Sequence, residues 1–116
     1  MARFRLSRPA QTDIRNILAT SAERWGIAAR RRYAALLSAA MRKASADPYG
    51  PSTRDRAELL PGIRSLHIRL ASNDAPEAGV RRPAHILFYR LAGPEFIEIV
   101  RVPHERSDPG RHLEKN

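Results

Sequence analysis

Hydrophobic residues recur at helical spacing in the first half of the chain and alternate with polar residues in the second half. Between Ser7 and Trp25 the apolar positions lie three or four residues apart, which is typical of an amphipathic helix. Ser7 is a suitable N-cap, and Pro9 stands in the first turn, where a helix tolerates proline. Gly26 interrupts the pattern, so we expect the first helix to end there.

A second helical stripe runs over residues 27–46 and predicts a second helix. Asp47 should end it, because the residue before Pro48 is pushed out of the helical region. Since one glycine separates the two helices, we expect an antiparallel hairpin. Each helix has a single apolar face, which later strands must cover. We place Trp25 and Tyr33 in the core of this hairpin.

Alternating segments predict four strands. Arg3–Leu6 gives a short strand before the helices, and Ile63–Leu70 gives a half-buried strand after them. Ala84–Arg90 and Phe96–Val102 are rich in β-branched and aromatic residues, and the Gly-Pro sequence between them predicts a hairpin turn. The first strand is expected to join the sheet beside one of the later strands.

Two connections are rich in proline and glycine. Residues 48–62 are predicted to form a loop, and residues 71–83 a flexible insertion between two paired strands. Residues 108–112 contain at most one helical turn. The predicted fold is therefore a single α+β domain over residues 1–116, of order β-α-α-β-β-β. An antiparallel sheet carries the N-terminal helical hairpin on one face.

Composition limits the classes of function. The 116 residues include no cysteine, which excludes disulfides and thiolate metal sites. We expect neither a secretory signal nor a membrane-spanning segment, and hence a cytoplasmic protein. The net charge of +9 favours DNA, RNA or an acidic protein as partner. Because only Lys43 and Lys115 are lysines, an arginine-rich composition is an equally open explanation of that charge.

The last strand runs into a charged cluster: His104, Glu105, Arg106 and Asp108. Metal-free RNA cleavage needs a base near the 2′-hydroxyl, an acid for the leaving oxygen and cations for the phosphate. The cluster contains such groups. The alternative, which we favour, is that His104 orders the strand exit by hydrogen bonding to the backbone or to Asp108.

Metal and cofactor sites have little support. The four histidines, His67, His85, His104 and His112, have no ligand spacing, and no glycine-rich phosphate loop is present. We therefore expect no metal and no cofactor.

Several segments together resemble the RelE/ParE superfamily of toxins from type II toxin–antitoxin systems, on the ParE side. They are Leu6–Ala10 with Asp13-Ile14, Ala22–Gly26, Glu58–Ser65, Ile86–Arg90, Ile99–Val102 with His104, Arg106 and Asp108, and Arg111–Leu113. The likeness covers nearly the whole chain. The insertion at 71–83 is longer than usual in the family, and Pro103 should end strand pairing before His104.

The resemblance implies a bacterial growth-inhibiting toxin neutralised by a cognate antitoxin, of the ParD-like ribbon-helix-helix kind, and touching DNA only through that antitoxin. ParE-like members inhibit DNA gyrase by binding. RelE-like members are ribosome-dependent mRNA endonucleases, and for that alternative the catalytic candidates are His104, Arg106 and Arg90. A third possibility is a degenerate toxin that serves only promoter control. Fold alone does not choose among these outcomes.

Candidate residues for binding the antitoxin or the target are Arg64, Arg69, Arg90, Arg101, His104 and Arg106. Alternatively, Arg64, Arg90 and Arg101 on the sheet are ordinary solvent-exposed charges or pair internally with Glu98 or Glu58. Phe88 and Tyr89 should point to opposite faces of their strand. We expect the face away from the helices to be partly open and to be covered by the antitoxin, through helix docking or strand addition.

Overall fold

The computed structural model describes residues 3–113, and its elements follow the predicted order with two short additions, a strand within the loop 48–62 and a helical turn after the last strand. They are β1 (Arg3–Leu6), α1 (Arg8–Trp25), α2 (Ile27–Ala46), β2 (Arg54–Asp55), β3 (Arg64–His67), β4 (Ile86–Gly93), β5 (Phe96–Arg101) and α3 (Pro109–His112). Over this range the strands form one sheet of order β1-β5-β4-β3-β2. β1 runs parallel to β5, and the other neighbours are antiparallel. The predicted α+β fold is confirmed.

Local signals set the ends of the helical hairpin. The Ser7 hydroxyl accepts a hydrogen bond from the Ala10 N–H at 3.1 Å and caps α1. Gly26 has φ 93° and ψ 173°, a conformation that is essentially restricted to glycine. The chain therefore reverses at one residue, and α2 begins directly after it.

The main core lies between the helical hairpin and one side of the sheet, which we call the inner face. Leu36 and Leu37 of α2 pack with strand residues that are fully buried, among them Leu66, Leu87, Ile97 and Ile99. No helix in the described range is long and apolar enough to cross a membrane.

The prediction that Trp25 belongs to the core is wrong. Its side chain is 71% exposed, and Ile27, on the other side of the turn, is 56% exposed. The buried residues of α2 begin only at Leu36, so the tip of the hairpin projects beyond the packed part of the sheet. Helical periodicity predicts which face of α1 is apolar, but it does not tell how far along the helix the rest of the protein packs against that face. Tyr33 is partly buried.

The segment between β3 and β4 differs from the predicted strand and flexible loop. β3 ends at His67, whose Nδ1 accepts the Arg69 N–H at 3.1 Å and starts a 3-10 helix over 68–74. A second 3-10 turn covers 76–78. The alanines at positions 71, 75 and 78 are buried against α2, so this connection is part of the core. The short strand β2 lies within the predicted loop 48–62.

The opposite side of the sheet, the outer face, is half covered by the chain itself. Phe88 is fully buried there by Ile63 and by Leu113, which follows α3. The prediction of an open apolar face is therefore wrong at this end. The other end, around β1 and β5, stays open and carries mainly charged side chains.

Candidate functional site

The charged cluster after β5 is tied to the start of β4. β5 ends at Arg101, before Pro103, as predicted, but pairing resumes at an isolated bridge between His85 and His104. The Glu105 N–H then donates to the Ala84 carbonyl at 2.7 Å. The segment therefore leaves the sheet in a fixed direction.

Three histidines meet near this exit, and in two of them a backbone hydrogen bond assigns the tautomer. In His67 and His104, Nδ1 accepts the backbone N–H of the residue two positions later, at 3.1 Å in both cases. In His85, Nδ1 lies 2.6 Å from the Tyr33 hydroxyl. In His67 and His104 the lone pair on Nδ1 is engaged by a backbone donor, so the neutral ring carries its proton on Nε2. His104 thus orders the backbone of its own segment, as we had favoured.

Tyr33 and His85 lie partly buried in this cluster. The Ala84 N–H donates to the Tyr33 oxygen at 3.0 Å, and the Tyr33 hydroxyl and His85 Nδ1 share a hydrogen bond of 2.6 Å. Burial, followed by the charge of His104, lowers the pKa of His85 to about 4. Burial also raises the pKa of Tyr33. Both groups are therefore neutral at physiological pH and join α2 to the start of β4.

Arg101 has a structural partner that the sequence analysis did not name. Its Nε and a terminal nitrogen each donate to the Asp13 carboxylate of α1 at 2.8 Å. The same carboxylate accepts the Val102 N–H at 2.8 Å. This hydrogen bonding to Asp13 raises the pKa of Arg101. The pair lies on the inner face and joins α1 to β5.

The other predicted arginines lie in separate places. Arg64 donates to the Pro48 carbonyl at 3.0 Å and stacks on Tyr49. Arg90 pairs with Glu98 on the outer face at 2.9 Å.

Neither the predicted binding residues nor the nuclease candidates form one compact site. Arg69 and Arg106 are exposed, each two residues beyond a histidine. Arg90 lies five residues from His85, or about 15 Å along an extended strand, whereas His104 is paired with His85.

A groove that the sequence analysis missed lies between the helical hairpin and residues 79–85. This hairpin groove has a volume of about 540 Å³. It is lined by Ile17, Thr20, Ser21, Trp25, Ala29, Arg32, Tyr33, Gly79, Val80, Arg81, Arg82 and His85. No acidic residue is among the lining residues, and three arginines are. The groove therefore combines an apolar floor with a basic rim.

Two sequence signals could have pointed to the groove. A tryptophan on the last turn before a helix-breaking glycine is far from the middle of its helix, and Arg81-Arg82 is a basic pair within the segment 71–83 that the sequence predicts to be a flexible insertion. The first signal was missed because Trp25 was assigned to the core, and the second because residues 71–83 were predicted to be flexible.

Comparison with known proteins agrees with this architecture. Residues 4–109 match the family model described as the ParE toxin of the type II toxin–antitoxin system, parDE. The chain belongs to the ParE toxin family. It is similar to "Toxin ParE1" of Mycobacterium tuberculosis strain H37Rv, with 34% identity over 112 residues, which cover 97% of this chain and 98% of the relative. It is also similar to "Toxin ParE1" of Caulobacter vibrioides, with 30% identity over 113 residues, covering 97% and 99%. This ParE toxin is thus one component of a toxin–antitoxin pair.

Proposed function

We propose that this ParE toxin acts in the cytoplasm by binding DNA gyrase and inhibiting it without chemical catalysis. The observation that carries the non-catalytic part is the state of the histidines. In His67 and in His104, the candidate base, Nδ1 already accepts a backbone N–H, so the neutral ring bears its proton on Nε2. A neutral histidine in this state has no free lone pair with which to accept the 2′-hydroxyl proton.

Gyrase inhibition and mRNA cleavage are separated by two measurements on the same toxin. Purified toxin should inhibit supercoiling of relaxed plasmid by gyrase, and cells that express it should contain intact messages. His104→Ala removes an exposed side chain and should leave the inhibition unchanged. Cleaved messages with normal supercoiling, abolished by His104→Ala, would reverse this assignment in favour of the endonuclease.

The cognate antitoxin, which we propose to be a ribbon-helix-helix protein of the ParD kind, docks in the hairpin groove. Trp25 gives the groove a large exposed aromatic side chain, and such residues anchor many protein interfaces. Arg32, Arg81 and Arg82 favour an acidic partner. An amphipathic helix with carboxylates beside its apolar face fits both properties. In the complex, the antitoxin would then supply one contact with DNA.

Docking in the groove is tested by the affinity of the toxin for the small protein encoded in the adjacent reading frame. Trp25→Ala should raise the Kd by about 30-fold, which corresponds to a loss of about 2 kcal/mol at a hot spot. Because the side chain is exposed, the free energy of unfolding should change little. Tyr49 is 65% exposed and lies outside the groove, so Tyr49→Ala is the matched control and should leave the Kd within about threefold.

Equal losses of affinity in the Trp25→Ala and Tyr49→Ala variants would mean that the groove is not the docking site. A charge-reversed Arg81→Glu/Arg82→Glu variant gives a second test, because it should weaken binding more strongly at low salt than at high salt.

A further inference from the structure

The open half of the outer face carries a row of charged side chains across three strands. Arg5 of β1 and Arg90 of β4 both lie opposite Glu98 of β5 in the sheet register. The two arginines are therefore separated by two strand spacings, or about 10 Å. Arg3 lies two residues before Arg5 and points to the same face, since side chains alternate along a strand. We call Arg3, Arg5, Arg90 and Glu98 the arginine face.

Glu98 holds two of these arginines in place. Its carboxylate lies 3.3 Å from Arg5 Nε and 2.9 Å from a terminal nitrogen of Arg90. The Glu98 side chain is only 16% exposed, whereas those of Arg5 and Arg90 are 55% and 51% exposed. A guanidinium has five N–H donors, and these contacts use only some of them. The less exposed Glu98 carboxylate thus orients both guanidinium groups, and each still has N–H donors that can bind an anion.

The charge of the face is positive. Three arginines against the single carboxylate of Glu98 leave +2, and including Glu95 of the adjoining turn leaves +1. The net charge of +9 on the whole chain adds attraction for a polyanion at longer range. An acidic protein partner fits this face less well than the hairpin groove, because the described side chains here include no exposed aromatic anchor comparable to Trp25.

The aromatic rings nearby are already occupied. The Arg5 guanidinium lies over the Phe96 ring at 5.3 Å, and Arg56 lies over the buried Phe88 at 5.5 Å. Recognition of single-stranded RNA or DNA depends on open rings on which unpaired bases stack. Contacts to the backbone of a duplex need only positioned cations. These two facts favour duplex DNA over single strands.

We propose that the arginine face binds the phosphate backbone of duplex DNA directly, without sequence preference. The toxin then has two separate surfaces, the hairpin groove for an acidic protein and the arginine face for DNA. This inference does not require gyrase to be the target, because it concerns a contact between the toxin and DNA alone.

Fluorescence anisotropy of a labelled 20-base-pair duplex, titrated with purified full-length toxin at several salt concentrations, tests the proposal. We expect a Kd of roughly 1–100 µM near physiological salt and a steep dependence on salt. The Arg3→Gln/Arg5→Gln/Arg90→Gln variant should reduce the slope of log K against log salt by about 2 to 3, since each phosphate contact contributes about 0.9.

The matched control removes the same charge elsewhere. Arg24, Arg30 and Arg31 are exposed at the tip of the hairpin, outside the groove lining, and their triple change to Gln should alter the slope by less than about 0.5. An Arg5→Lys/Arg90→Lys variant keeps two point charges on the face and should retain most of the affinity. Equal unfolding midpoints for all variants would show that the fold is intact.

Three results would overturn the proposal. The first is equal loss of slope in the two triple variants, because binding would then follow total charge and not this face. The second is tenfold tighter binding of a single-stranded RNA of the same length. The third is no detectable binding of the duplex at 50 mM salt. None of these results depends on gyrase inhibition, so the proposed target is tested separately.

Discussion

Asp13 is the residue whose replacement most directly tests how α1 is held on the sheet. Its carboxylate accepts two hydrogen bonds from Arg101 and one from the Val102 N–H, all at 2.8 Å. The side chains of Asp13 and Arg101 are 14% and 25% exposed, so water has limited access to either group. Removal of the carboxylate therefore takes these hydrogen bonds away from a cation and a backbone donor that water reaches only in part.

The expected cost of Asp13→Ala follows from these contacts. Breaking a buried ion pair by removing one partner costs about 3–5 kcal/mol. The partial exposure of Arg101 reduces this cost, and the lost acceptor for Val102 adds about 1 kcal/mol. We expect the free energy of unfolding to fall by about 3 kcal/mol. In a chain of this length the melting temperature should drop by roughly 10–15 °C. Asp13→Asn keeps an acceptor oxygen and should cost about 1 kcal/mol less.

Urea unfolding of the purified toxin measures the loss, and a double-mutant cycle with Arg101→Met isolates the pair. The Asp13→Asn/Arg101→Met variant should be more stable than the sum of the single changes predicts, by about 1–2 kcal/mol. Asp74 pairs with Lys43 at 3.1 Å with side chains 46% and 32% exposed, so Asp74→Ala is the control and should cost under about 0.5 kcal/mol. Additive single changes, or a loss below about 1 kcal/mol for Asp13→Ala, would refute this account of the pair.

Three further changes test other parts of the fold. The pKa of His85 is lowered to about 4 in the folded protein. As the pH falls below about 6.5, His85 is therefore protonated in the unfolded chain before it is protonated in the folded one. Between about pH 6.5 and 4 this difference should lower the free energy of unfolding by up to about 2 kcal/mol. Urea unfolding at pH 7.5 and 4.5 measures the loss, which should be absent in His85→Gln. Gly26→Ala should cost about 2 kcal/mol, because φ is 93° there, and an unchanged thermal midpoint would contradict this. Phe88→Ala should lower the free energy of unfolding by about 3–5 kcal/mol, since the side chain is fully buried. Calorimetry measures this loss, and a smaller one would mean that the neighbouring side chains of the outer face fill the cavity.

Sequence signals that act over a few residues predicted the helices well. Ser7 caps α1, and Gly26 ends it, because capping and backbone conformation are local properties. The same reasoning failed for Trp25, since helical spacing tells which side of a helix is apolar but not how far the sheet extends beneath it. The prediction for residues 71–83 failed for a related reason. Proline and glycine predict an irregular backbone, but a segment with an irregular backbone can still bury its alanines in the core.

Contacts between distant parts of the chain could not be predicted from the sequence. Arg101 was expected to be exposed or paired with Glu98 or Glu58, whereas its partner Asp13 is 88 residues away. Arg5 did not enter the predicted binding residues because only the register of β1 on β5 brings it to Glu98 and Arg90. The hairpin groove likewise needs α1, α2 and residues 79–85 to come together.

The parallel pairing of β1 with β5 has a consequence for the order of events during synthesis. Arg5 and Glu98 are 93 residues apart, so at about 5–20 residues per second the partner of β1 appears on the order of 5–20 s after β1 itself. The residues of the hairpin groove end at His85, before β5 is made. During translation, all residues of the proposed antitoxin site are therefore synthesised before the strand β5 that pairs with β1.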